Sequence, residues 1–139
     1  GYYGRVFWKV LAAGDLAGVS LVSADGVGGP IMVEIYRGAS IATLKSTNGA
    51  GTSTTLSLAG FTKSGSCKGV VTFASDRDPA ATPTPPVGFN ARVGPGTSSS
   101  FTGNAADLLV PANYSNGAAV VWTNFVDGYG QVGWLYELT

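Results

Sequence analysis

The feature that most constrains this chain is the placement of its turn formers. Gly-Val-Gly-Gly-Pro, Asn-Gly-Ala-Gly, Lys-Ser-Gly-Ser, Pro-Thr-Pro-Pro, Gly-Pro-Gly and Asp-Gly-Tyr-Gly recur along the sequence, and each is a chain-reversal signal. A parallel α/β alternative needs amphipathic helices of 10 or more residues, and no window between these signals offers one. They alternate with a period of two instead. In residues 2–11, Val6, Trp8 and Val10 share one side, while Arg5, Phe7 and Lys9 share the other. Residues 31–37 place Ile31, Val33 and Ile35 opposite Met32, Glu34 and Tyr36. Residues 19–23, 53–58, 68–75, 89–93, 118–125 and 131–138 complete the set of strand candidates. The expectation is an all-β chain: an antiparallel β-sandwich, jelly-roll-like, of about 8–9 short strands. The one helical candidate is 104–109, with Asn104 as N-cap and Pro111 as stop.

A chain of 139 residues is expected to form a single domain, 1–139, with its own core. It starts without Met and inside a strand-like segment, so the expectation is a domain excised from, or processed out of, a longer protein. Residues 78–86 hold four of the seven prolines. Each flank carries only about half the strands of a sandwich, so this stretch reads as a long loop crossing between sheets.

Charge and residue inventory narrow the chemistry. There are no histidines, one cysteine, and eight acidic against eight basic residues. The absence of His removes the usual base of Ser-His and Cys-His nucleophilic sites. A single Cys forms neither an intramolecular disulfide nor a cysteine zinc site. Zero net charge provides no overall attraction for phosphate backbones, which argues against nucleic acid. No apolar run approaches the ~20 residues of a membrane-spanning helix. No phosphate-cradling glycine motif is present. Asp76 and Asp78 flank Arg77 without the glycine and distal glutamate of a calcium loop. They read as a solvated turn, with Asp78 starting the bend at Pro79. Glu34 reads as a strand carboxylate partnered by Arg37 on a solvated face, and Cys67 as a half-buried thiol. The chain is read as a non-enzyme, with no catalytic residues, no metal and no cofactor.

Aromatic residues carry more information. Trp8, Trp122 and Trp134 alternate with small or β-branched neighbours and read as core. Tyr3 and Phe7 alternate with Arg5 and Lys9, which marks them as a candidate partner interface. Tyr114, in Asn-Tyr-Ser-Asn, and Tyr129, in Asp-Gly-Tyr-Gly, fall on turns where a core role is difficult. An exposed ring can cover a pyranose face while amides and carboxylates meet the hydroxyls. The candidate ligand-binding set is therefore Tyr114, Asn113, Tyr129, Asp127 and Asn124. The same residues also suit a protein contact.

Three motifs add a resemblance: Phe7-Trp8-Lys9-Val10-Leu11-Ala12-Ala13-Gly14-Asp15, Ile35-Tyr36-Arg37-Gly38 and Pro85-Pro86-Val87-Gly88-Phe89. Over about two-thirds of its length the chain resembles a loosely defined family of β-sandwich domains in tailed-phage virion proteins and phage-like particles. The resemblance implies a tail-fibre, spike or head-decoration domain at the virion or extracellular surface. Its partners would be a host surface polysaccharide or other virion subunits, a homo-oligomer included. The alternative to glycan recognition is a structural virion protein acting through protein contacts.

Overall fold

The structure is a computed structural model that describes residues 9–10, 32–48, 53–97, 101–126 and 130–139. Strands β1 (Ala42–Asn48), β2 (Thr55–Leu58), β3 (Gly69–Asp76), β4 (Asn90–Thr97), β5 (Thr102–Leu108), β6 (Val120–Thr123) and β7 (Gln131–Leu138) are joined by loops and one 3-10 turn, Pro111–Asn113. No α-helix occurs among the described residues. Five strands form an open antiparallel sheet in the order β1-β7-β3-β5-β4, while β2 and β6 form a separate antiparallel pair. The chain is thus all-β, with seven strands among the described residues.

The central strand β3 is apolar on both sides because both sides are covered, as expected for an interior strand. Val70 and Ala74 join Leu56 and Leu58 of β2, Val120 and Trp122 of β6, Ala106 and Leu108 of β5, and Leu135 of β7 in the main core. Val71 and Phe73 face the other way, towards Trp134, Tyr136, Leu138 and Tyr36. The β2–β6 pair therefore lies against one face of the large sheet. Trp122 Nε1 donates to Thr72 Oγ1 at 2.9 Å, and Thr72 Oγ1 donates to the Trp134 carbonyl at 3.0 Å. This satisfies the indole polar group inside the core. Gly133 sets how closely the layers approach: a Cβ there would lie 2.7 Å from Leu56 Cδ2 and 3.2 Å from the Phe73 carbonyl oxygen.

Three expectations are corrected. Residues 104–109 do not form a helix. Residues 104–108 belong to β5, which is hydrogen-bonded to β3 on one side and β4 on the other, and Leu109 follows its end. Asn104 does not cap; its Nδ2 donates to the Pro83 carbonyl at 2.6 Å in a buried site. Two flanking ladders outweigh the helix preference of two alanines. Residues 32–37 form no strand of either sheet, although their exposure does alternate. The stretch 78–86 is a loop as expected, but it does not cross between sheets: it joins β3 to β4, both strands of the large sheet. Asp78 Oδ1 accepts from Ala80 N at 2.7 Å, and Thr84 and Thr123 exchange backbone hydrogen bonds.

Candidate functional site

Two clefts lie on opposite faces of the large sheet. The first, about 520 Å³, is bounded by Glu34, Tyr36, Arg37, Lys68, Arg92 and Asp107, with apolar sides including Leu109 and Leu138. It exists because 32–37 crosses the sheet with its even-numbered side chains inward. Glu34 and Tyr36 are half-buried, while Val33 and Ile35 are 58% and 69% exposed. The reason is Tyr36, whose ring packs into the cluster of Val71, Tyr136 and Leu138 and carries Glu34 inward with it. This corrects the solvated reading of Glu34. Its hydrogen-bond partner is the Tyr36 hydroxyl, which donates to Oε2 at 3.4 Å, not Arg37. The segment then turns at Gly38, where φ is +79°. Ser40 N and Ile41 N both donate to the Thr139 carbonyl at the end of β7.

Asp107 sits one residue before the end of β5 with its side chain fully buried, so it requires a partner. Arg92 supplies it: Nε donates to Oδ2 at 2.7 Å. Ladder register explains the reach. Ala91 pairs with Ala106 and Val93 with Ala105, leaving Arg92 as the extra residue of a β-bulge. Such bulges re-aim a side chain. Electrostatics follow from this crowding. Burial pushes the Glu34 carboxyl above its ordinary value, with a further rise from Asp107 against lowering by the Tyr36 hydrogen bond and Arg92. Burial, reinforced by both carboxylates, pushes the Tyr36 phenol far up, so it stays neutral.

The second cleft, about 310 Å³, is lined by the Pro86–Phe89 turn, Leu108, Asn113, Tyr114, Ser115 and the start of β6. Phe89 N donates to the Pro86 carbonyl at 3.0 Å, and Gly88 has φ +85°. That is a turn in which the third residue must be left-handed, the usual place for glycine.

Of the sequence-predicted ligand residues, this cleft brings together Asn113 and Tyr114. Asn113 is exposed, at the end of the 3-10 turn. Tyr114 is not exposed as expected; it is only 5% accessible and belongs to the main core. Its ring stacks on Phe61 with centroids 4.9 Å apart. Its hydroxyl accepts from Phe61 N at 3.1 Å and donates to the Ala118 carbonyl at 3.3 Å. A turn residue becomes core here because Lys63 draws the turn in, its Nζ donating to the carbonyls of Pro111 and Tyr114. Asn124 lines neither cleft. It holds φ +65°, and its Nδ2 donates to Thr82 Oγ1 at 2.7 Å and to the Thr82 carbonyl at 3.0 Å. Asp127, Tyr129, Tyr3 and Phe7, like Trp8, lie outside the described residues.

The remaining candidates have structural partners. Asp76 is buried, accepting from Asp78 N at 3.0 Å and Val126 N at 3.3 Å, and burial raises its carboxyl. It is therefore an internal clasp rather than a solvated turn residue. Cys67 is half-buried against the core. Local sequence did not flag Glu137, whose side chain is 1% exposed and lies 2.7 Å from Lys45 Nζ. Neither did it flag Asp107, hidden inside the supposed helix. Comparison with protein-family models, curated proteins and solved structures returned no match.

Proposed function

We propose that the chain is a non-enzymatic binding module of the surface of a phage or phage-like particle, a two-layer β-sandwich that recognises a host-surface glycan. The observation that carries this reading is the second cleft. There Asn113 and Ser115, both exposed, stand beside the half-buried ring of Phe89. A ring edge next to an amide and a hydroxyl offers the mixed apolar and hydrogen-bonding surface that a sugar presents in return. The shared core of the two sheets supports the sandwich part of the reading, and the three sequence motifs support the virion part.

The test is a glycan array probed with a multimer of the chain. Asn113→Ala with Ser115→Ala is expected to remove the signal without lowering the melting temperature. A signal that persists in the double variant refutes the assignment of this cleft, and no signal for the parent refutes glycan recognition by it.

A structural virion role is the second reading, favoured by Val33 and Ile35, which expose their side chains from one side of an extended segment. Light scattering separates the two: a concentration-dependent oligomer abolished by Val33→Ser with Ile35→Ser supports the structural role, and a strict monomer at high concentration counts against it.

A further inference from the structure

The chain has eight Lys and Arg residues, and three of them, Arg37, Lys68 and Arg92, line the first cleft. The acids of that cleft lie deeper. Asp107 is fully buried, and Glu34 is half-buried with Oε1 shielded from solvent, whereas Arg37, Lys68 and Arg92 are exposed. An incoming group therefore meets cations first. Arg92 engages Asp107 through Nε alone, which leaves the outer edge of the guanidinium facing outward. Lys68 Nζ donates to the Gly38 carbonyl at 2.5 Å, so its ammonium is positioned while further N–H groups remain. Among the described residues neither Arg37 nor Lys68 has an ion-pair partner. Three cations against two acids leave one positive charge in excess, in a cleft partly walled by the low-dielectric surfaces of Leu109 and Leu138.

We propose that this cleft binds the anionic group of an acidic sugar, a carboxylate or a sulfate ester, as a second subsite on the opposite face of the sheet from the Asn113 cleft. The ligand class rests on the glycan reading above; the anion preference rests on the charges alone. Arg37 and the outer edge of Arg92 hold the anion by charge-assisted hydrogen bonds, and Lys68 adds a point charge.

Glu34 makes the affinity depend on pH. The groups facing it are Tyr36 on its own segment, Asp107 on β5 and Arg92 on β4. Its carboxyl titrates above the ordinary carboxylate value because of burial. Protonation removes one of the two negative charges beneath the cations. Anion affinity therefore rises as pH falls through the Glu34 range.

The experiment is an NMR titration of the chain with glucuronate, a sulfated monosaccharide, glucose, inorganic sulfate and inorganic phosphate at low salt. Glucuronate or the sulfated sugar is expected to shift the amides around Arg37, Lys68 and Arg92, and glucose is not. Arg37→Gln and Lys68→Gln each weaken binding about two- to five-fold, the range of exposed charge pairs. Glu34→Gln strengthens binding at neutral pH and flattens its rise towards acid. Which of the two acidic sugars binds identifies the anionic group. Inorganic sulfate or phosphate binding as tightly as either sugar overturns the sugar assignment. Equal binding of glucose and glucuronate at this cleft, or no effect of the Arg37 and Lys68 variants, overturns the anion site. Absence of shifts from both acidic sugars with a positive array signal sinks this proposal only. Retained glucuronate shifts with a blank array sink the Asn113 cleft only.

Discussion

Lys45→Met isolates the energetics of a buried carboxylate whose cation is itself partly buried. Glu137 lies near the end of β7, 1% exposed, with Oε2 2.7 Å from Lys45 Nζ, and Lys45 itself is 24% exposed. Oε1 accepts from Ser64 N at 2.6 Å. Burial works against the charged carboxylate, but the hydrogen bonds from Lys45 and Ser64 outweigh it and hold the carboxyl below its ordinary value. Removing one partner of a buried pair costs about 3–5 kcal/mol because the other charge is stranded. Here the surviving Ser64 hydrogen bond and the partial exposure of Lys45 reduce this to about 2 kcal/mol. That corresponds to a fall of about 8 °C in melting temperature for a chain of this size. The sign with pH follows from the lowered carboxyl. Its contribution is present above the unfolded value of 4.5 and is lost as pH falls through the folded one. The gap between parent and Lys45→Met is therefore widest at pH 7 and narrows as pH is lowered towards 3, through the range in which Glu137 takes up its proton. Urea unfolding at the two pH values measures it. A gap below about 0.5 kcal/mol at pH 7, the level of an ordinary exposed pair, refutes the argument, as does an equal gap at both pH values.

Other perturbations test the packing. Gly133→Ala places a methyl 2.7 Å from Leu56 Cδ2 and is expected to cost about 1–3 kcal/mol by overpacking, read by denaturant titration; in a double-mutant cycle with Leu56→Ala the two losses should be less than additive. Tyr114→Phe removes the hydroxyl that joins Phe61 N to the Ala118 carbonyl and should cost about 1–2 kcal/mol, with faster hydrogen exchange at the Phe61 amide. Asn124→Ala loses the Thr82 clasp and keeps the φ of +65°, so it should destabilise more than Asn124→Gly, which tolerates that backbone; thermal unfolding of the two compares them.

Strands were legible where alternation or a short apolar run stood out between turn signals. Residues 131–138 coincide with β7, and 68–75 differ from β3 by one residue at each end. β5 was hidden because Asn104-Ala105-Ala106-Asp107 has little intrinsic strand preference. It is a strand because β3 and β4 pair with it on both sides, and those partners are distant in sequence. β1 escaped notice because Lys45, Ser46, Thr47 and Asn48 are polar, as suits a sheet edge. In 32–37 the period was right and the facing inverted, since one tyrosine buried against β3 and β7 outweighs the exposed Val33 and Ile35. The site shows the same limit. Asn113 was legible as an exposed turn amide, whereas the burial of Tyr114 depends on Phe61 and Lys63, about fifty residues earlier.

A net charge of zero argues only about the far field, and the fold redistributes it. Two acids, Glu137 and Asp107, are consumed internally by Lys45 and Arg92, and a third, Asp76, by backbone N–H groups. Lys63 is spent on the carbonyls of Pro111 and Tyr114. Acids are sequestered more completely than cations: Asp107 is buried while its partner Arg92 remains exposed, and Glu137 is buried while Lys45 keeps some solvent contact. A long guanidinium or ammonium side chain can neutralise a buried carboxylate and still reach water, whereas a short carboxylate cannot do the reverse. In both ion pairs among the described residues, pairing therefore leaves the positive member outermost. The same asymmetry makes the first cleft cationic at its mouth above two carboxylates. The bulge at Arg92 is what carries a guanidinium to that mouth.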